Sequence, residues 1–223
     1  MEFVAIIDAK ARAQAGCAVV GVYENGDLGV AARQVDKQLQ GLITNLQGSG
    51  DFTAKLGDTL MLPLPPGSAA SRLLLVGLGT RAGFGRKQYR KSLQSAAQAL
   101  TKTGASDAAV YLAMEPVTEL DMAYRARIVA EVFSSHAYKV PDLKTSPKPK
   151  ARRLAAINVA AADARAAKAA AQGLRIGAAI GSGLGFARDL ANLPPNVCTP
   201  TYMGKPRSAT GQRVLEHQNQ GAG

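Results

Sequence analysis

Three acids fall within a short stretch, Glu115, Glu119 and Asp121, and a close set of carboxylates is where general acid–base work or cation binding would be sought first. They stand just before a helical pattern, however, where acids complement the positive end of the helix dipole, so helix capping is their expected role. Gly77-Leu78-Gly79-Thr80 follows an apolar run, the place where a dinucleotide-binding turn would begin. Position 82 is Ala where the third glycine should be, and no helix starts at once, so a tight strand exit is expected instead. His136 and His217 are isolated, and Cys17 and Cys198 lie far apart with no CxxC or Cys/His spacing. Neither a zinc site nor a disulfide framework is indicated, and both thiols are expected to be reduced. No Ser stands in a GxSxG elbow, and no phosphate loop ending in Gly-Lys-Ser/Thr occurs. The expectation is therefore no catalytic, no cofactor-binding and no metal-ligating residue in this chain, with binding or assembly as its default class.

The elements that would position these residues read as alternating strands and helices. Phe3–Ile7, Cys17–Tyr23, Thr59–Leu64, Arg72–Leu78, Ala108–Ala113 and Leu154–Val159 are short runs rich in apolar and β-branched residues, as strands are. Within the fourth, Leu73-Leu74-Leu75-Val76 is continuously apolar, as in a strand buried on both faces, and a central place in the sheet is expected for it. Between them, 28–46 carries apolar residues at three- and four-residue steps with Gly41 as a break, and 86–103 repeats the pattern with Gly104 as its stop. Asp121 is a plausible N-cap for 122–136. Asp163–Leu193 is long and alanine-rich, fitting one extended helix or two parted near Gly181-Ser182-Gly183, and its small residues permit close packing. The alternation points to an α/β sandwich around a parallel or mixed sheet.

With 223 residues, 47% of them hydrophobic and only 19% charged, the chain has the material for a real core and is not a disordered sequence. No run approaches the ~20 apolar residues that span a bilayer, and the start is acidic where a signal peptide is basic, so a cytoplasmic protein without membrane contact is expected. The net charge is +11, and its excess is concentrated: Lys144, Lys148, Lys150, Arg152, Arg153, Arg165, Lys168 and Arg175 meet one acid, Asp163. Such a block suits either a solvated linker and helix face or the attraction of DNA phosphates, and Lys144, Lys148, Lys150, Arg152 and Arg153 are the candidate contacts.

The most distinctive segment runs Ala187-Arg188-Asp189-Leu190-Ala191-Asn192-Leu193-Pro194-Pro195-Asn196-Val197-Cys198-Thr199-Pro200-Thr201-Tyr202. Physically it is a helix end, a stiff Pro-Pro turn and a new helix start capped by Thr199 or Thr201. It resembles the signature that precedes the catalytic domain of the leucyl aminopeptidases, the peptidase M17 family. The Leu-Leu-Leu-Val-Gly-Leu-Gly strand and the Ala-rich helix agree, and the resemblance covers about residues 1–204. It implies a macro-domain-like mixed sheet sandwiched by helices, followed by a long Ala-rich linker helix. It also implies a homohexameric parent that releases N-terminal residues from peptides with two divalent metals, manganese, zinc or magnesium. A Lys and several acids hold those metals, partly in an Asn-Thr-Asp-Ala-Glu-Gly-Arg-Leu motif that is absent here. Some bacterial members also bind DNA.

The expected organisation is an N-terminal α/β domain at 1–143, a basic linker, strand and interdomain helix at 144–193, and a hinge with an aberrant tail at 194–223. After Gly204 the apolar periodicity stops. With suitable codons for Pro206–Gly223, reading one nucleotide later yields Arg-Glu-Ala-Arg-Leu-Ala-Lys-Glu-Phe-Ser-Asn-Ile-Lys-Thr-Lys-Val-Leu-Gly, a string that resembles the expected family helix and following strand. A frameshift near codon 205, with a truncated non-catalytic product, is the expectation. A macro-like domain binding a nucleotide at Gly77–Gly79 is the remaining alternative.

Overall fold

The structure is a computed structural model that describes residues 1–7, 15–68, 70–139, 154–194 and 196–204. Lys144, Lys148, Lys150, Arg152, Arg153, His217 and the tail from position 205 lie outside the described residues.

Six strands form one mixed sheet: β1 (Glu2–Ile7), β2 (Ala18–Val22), β3 (Thr59–Pro63), β4 (Arg72–Gly77), β5 (Asp107–Val110) and β6 (Ala156–Ala161), in the order β1-β6-β5-β2-β4-β3. All pairs are parallel except β3 with β4. The pleat sorts side chains by alternation. Val19, Leu74, Val76, Ala108, Val110, Ile157 and Val159 face one layer of the core, and Val20, Leu73, Leu75, Ala109 and Ala160 face the other. The first layer is closed by α3 (Arg86–Thr101), α4 (Met122–Ala137) and the 29-residue α5 (Ala164–Asn192). The second is closed by α1 (Val30–Gln38) and α2 (Leu42–Gly48). A short α6 (Pro200–Gly204) follows the hinge.

The mixed α/β sandwich and the long helix are as the pattern predicts, with differences in detail. Leu73, Leu74, Leu75 and Val76 are fully buried, yet β4 is next to the edge strand and the middle pair is β5 and β2. Helices on both faces bury a strand whatever its rank in the sheet. The strand expected over 108–113 stops at Val110 and turns into a 3-10 segment over Leu112–Met114. Gly104 keeps an ordinary backbone; α3 is closed one step earlier, by Lys102 and Thr103 amides bonding back to Ala99 and Leu100. Gly41 parts α1 from α2 as expected, at φ 84°. Asp36 staples that corner: from inside α1 its carboxylate accepts from the Ile43 amide (2.7 Å), the Thr44 amide (3.2 Å) and the Thr44 hydroxyl (2.6 Å).

The segment 156–192, which the chain order separates from the first domain, contributes β6 between β1 and β5. Helix α5 runs unbroken through Gly181-Ser182-Gly183. Asp163 caps it by accepting from the Ala166 amide at 2.7 Å. Its first half lies parallel to α4, with Gly173, Gly177 and Gly181 turned into the contact.

Candidate functional site

In an open parallel sheet, ligands bind outside the carboxyl ends of the strands where the direction of winding reverses. Here that point lies between β2 and β5: the chain leaving β2 goes to the α1 side, and the chain leaving β5 goes to the α4 side. The loops after the two strands, 23–29 and 111–120, flank the crevice.

Glu115 fills it. Its side chain is almost completely buried, and Oε1 accepts from the Val30 amide at 2.6 Å, the first residue of α1. Oε2 accepts from the Tyr23 hydroxyl at 3.3 Å, and its carbonyl accepts from Arg125. The N-terminus of α1 is thus neutralised by an internal carboxylate, where a bound anion would otherwise sit. Gly29 makes the approach possible, since a Cβ there would stand 2.4 Å from Glu115 Oε1 and 2.3 Å from the Gly21 carbonyl oxygen. Burial is the main cause that raises the Glu115 carboxyl above its ordinary range, opposed by the Val30 amide, the Tyr23 hydroxyl and the charges of Arg81 and Arg33. Burial, then the charge of Glu115, pushes the Tyr23 phenol upward. Arg81 lies over the Tyr23 ring at 4.1 Å and pairs with Asp27, which Arg33 also reaches at 3.3 Å. The hydrogen bond from Arg81 is the leading cause that holds the Asp27 carboxyl below its ordinary range.

The three acids singled out by spacing therefore part company. Asp121 caps α4, accepting from the Tyr124 amide at 2.7 Å as predicted. Glu119 is exposed with φ 62°. Glu115 does cap a helix, but one that begins 85 positions earlier; nothing in local spacing marks such a partner.

Gly77-Leu78-Gly79 is a strand exit. The three amides donate to the Asp58, Val22 and Ala54 carbonyls at 2.8, 2.9 and 3.1 Å, leaving none to cradle a phosphate. A Cβ on Gly77 would stand 2.1 Å from the Lys55 carbonyl oxygen, so the glycine serves close backbone approach. His136 is exposed near the end of α4, its Nδ1 3.3 Å from the Val132 carbonyl. Cys17 is buried in the core, where burial pushes its thiol up to about 12, and Cys198 is half-buried; both are free.

The polar residues of the Ala-Arg-Asp-Leu-Ala-Asn segment converge on one ring. The Tyr138 hydroxyl donates to Asp189 Oδ1 at 3.0 Å and accepts from Asn192 Nδ2 at 3.2 Å. The Arg188 guanidinium lies 5.4 Å from the ring centroid and donates to the Ser135 carbonyl at 3.3 Å. This clamp ties the second half of α5 to the end of α4. Beyond it, Thr199 caps α6 through the Tyr202 amide, at 3.2 Å.

Among the described residues no three His, Cys, Asp or Glu side chains gather as a metal site would require. The acids have other partners: Asp27 holds two arginines, Glu131 holds Arg90 and Arg127, and Asp36, Glu115, Asp121 and Asp163 cap helices. These residues do not fit a pair of divalent cations.

The pattern of the cytosol aminopeptidase family, N-terminal domain, matches residues 19–147. A probable cytosol aminopeptidase of Halorhodospira halophila is 39% identical over 206 residues, which are 91% of this chain and 41% of the relative. One from Chromohalobacter salexigens is 40% identical over 203 residues, 91% of this chain and 40% of the relative. The chain thus spans about two fifths of the length of these curated relatives. A tomato leucine aminopeptidase mutant shares the fold at TM-score 0.73 and 20% identity, over 96% of this chain and 42% of that one. The bottromycin maturation enzyme BotP, in a complex with Mn, does so at 0.60 and 24%, over 92% and 37%.

Proposed function

The chain belongs to the cytosol aminopeptidase family, of which it represents the N-terminal domain, and from that premise we propose that it is a folded, non-catalytic scaffold. The intact protein would be a metallo-aminopeptidase whose manganese or zinc ions and acidic ligands belong to the part that its relatives carry beyond the matched region. Assembly into a hexamer, capture of peptides and a cytoplasmic location belong to the same proposal. No helix among the described residues is long and apolar enough to cross a membrane. The observation that carries the reading is the fate of the acids: the one at the switch point, Glu115, is consumed in capping α1, so the crevice where this fold class would bind a ligand is filled by its own side chain. Purified 223-residue chain, assayed with a leucyl chromogenic amide and manganese, is expected to release product at the blank rate. Clear metal-dependent turnover overturns the proposal.

A second reading, contact with DNA phosphates through the basic stretch, is favoured by one observation. Arg165, Lys168 and Arg175, its described members, are all exposed on α5. Each phosphate neutralised contributes about 0.9 to the slope of log affinity against log salt. Retention of duplex DNA at low salt that collapses steeply as salt rises is the expected result of that reading, and no retention at low salt ends it.

A further inference from the structure

Eleven large apolar side chains are more than a third exposed among the described residues, and six of them, Ile176, Ile180, Leu184, Phe186, Val197 and Tyr202, lie at or beyond position 176. Ile176, Ile180 and Leu184 are four residues apart, so they form one ridge along α5. The buried residues of α5 are Ala170, Gly173, Leu174, Gly177 and Gly181. Past Gly181 no residue of the helix is buried, and this half is held by the Tyr138 clamp on Asp189, Asn192 and Arg188. Polar residues thus set the direction of the helix while Ile176, Ile180 and Leu184 stay about two fifths exposed. A surface of this kind is the mark of an unfilled interface.

We propose that the Ile176–Ile180–Leu184 ridge is the seat of the catalytic portion that follows this domain in the longer family members, and that the Tyr138 clamp aims it. The occupant is argued from length and position. Alignment with the relatives takes up nine tenths of this chain but only two fifths of theirs. The exposed apolar residues concentrate in the last matched elements, next to where the remaining three fifths must continue. The inference rests on the family reading above.

The test is a chimera in which residues 1–204 are followed by the C-terminal part of the Halorhodospira halophila relative, with and without Ile176→Glu, Ile180→Glu and Leu184→Glu together. Leu56→Glu, comparably exposed at 39% but remote in sequence, serves as the control. Proteolysis of a connection follows the population of its open state. The ridge variant is expected to be cut between the two parts at least about tenfold faster than the parent or the control. In the isolated 223-residue chain each of the three substitutions is expected to lower the melting temperature no more than Leu56→Glu does, because Ile176, Ile180, Leu184 and Leu56 are exposed to a similar degree. Equal cleavage rates overturn the inference, as does a chimera that aggregates with its ridge intact. Self-association of the isolated chain that the ridge variant abolishes would make a second copy the occupant, and would also overturn it. Activity of the chimera on a leucyl amide separates the two ideas: an active chimera with unresponsive cleavage sinks the ridge alone, whereas an inactive one speaks against the function proposed for the intact protein.

Discussion

Gly173→Ala is expected to lower the unfolding free energy by about 2–4 kcal/mol, although alanine is the better helix former. On propensity alone the change should stabilise α5 by about 1 kcal/mol. The new Cβ, however, would stand 1.9 Å from the Ala123 carbonyl oxygen, a backbone atom of α4 that cannot move aside. Overpacking against yielding side chains costs about 1–3 kcal/mol, and against backbone it costs more. Gly177→Ala meets the Arg127 carbonyl oxygen at 2.3 Å and the Ala130 methyl at 2.8 Å, and a similar loss is expected. Gly183, two residues past Gly181 and turned away from α4, has nothing within 4 Å of its Cβ position, so Gly183→Ala should be stabilising by up to about 1 kcal/mol. Urea unfolding of the three variants checks the pattern. Equal effects at 173 and 183 would mean that α4 and α5 do not meet along this seam.

Glu115→Ala is expected to cost about 2–4 kcal/mol, because it strips the Val30 amide and the Tyr23 hydroxyl of their shared acceptor and opens a cavity beneath them. Glu115→Gln keeps an acceptor for the amide and should cost far less. The carboxyl is raised above its ordinary value of 4.5, burial being the first cause. The folded chain therefore binds this proton more tightly than the unfolded chain does. Its contribution to stability is fully present below pH 4.5 and is lost as pH rises through the raised value. Relative to the wild-type chain, Glu115→Gln should thus gain stability as pH rises from the acid side toward neutrality. A difference between the two that stays flat with pH would show that the carboxyl is not raised. If Glu115→Ala leaves stability unchanged, Glu115 does not stopper α1.

Much of this was legible in residue types and short spacing. Six strands and the break between α1 and α2 follow from local pattern, through β-branched runs and a left-handed glycine at position 41, and Asp121 stands one step before the helical periodicity that it caps. Each of these effects acts within one or two turns of chain, so the residues that cause it are neighbours in the sequence. The Pro-Pro hinge and the Arg-Asp-Leu-Ala-Asn segment likewise announced the family without any coordinates.

What stayed hidden depends on pairs brought together by the sheet. Glu115 reads locally as a cap for the helix just ahead, but β2 and β5 lie side by side, and that adjacency delivers its carboxylate to α1. Tyr138 has no motif of its own; it matters because α4 and α5 run parallel and bring Arg188, Asp189 and Asn192 to its ring. The strand after the basic stretch looks like part of a linker in chain order, yet its hydrogen bonds place it between β1 and β5. The sequence by itself determined most of the elements and the family. Only the tertiary structure decided which charges neutralise which helix ends and which apolar ridge is left uncovered, because both are set by contacts between residues tens of positions apart.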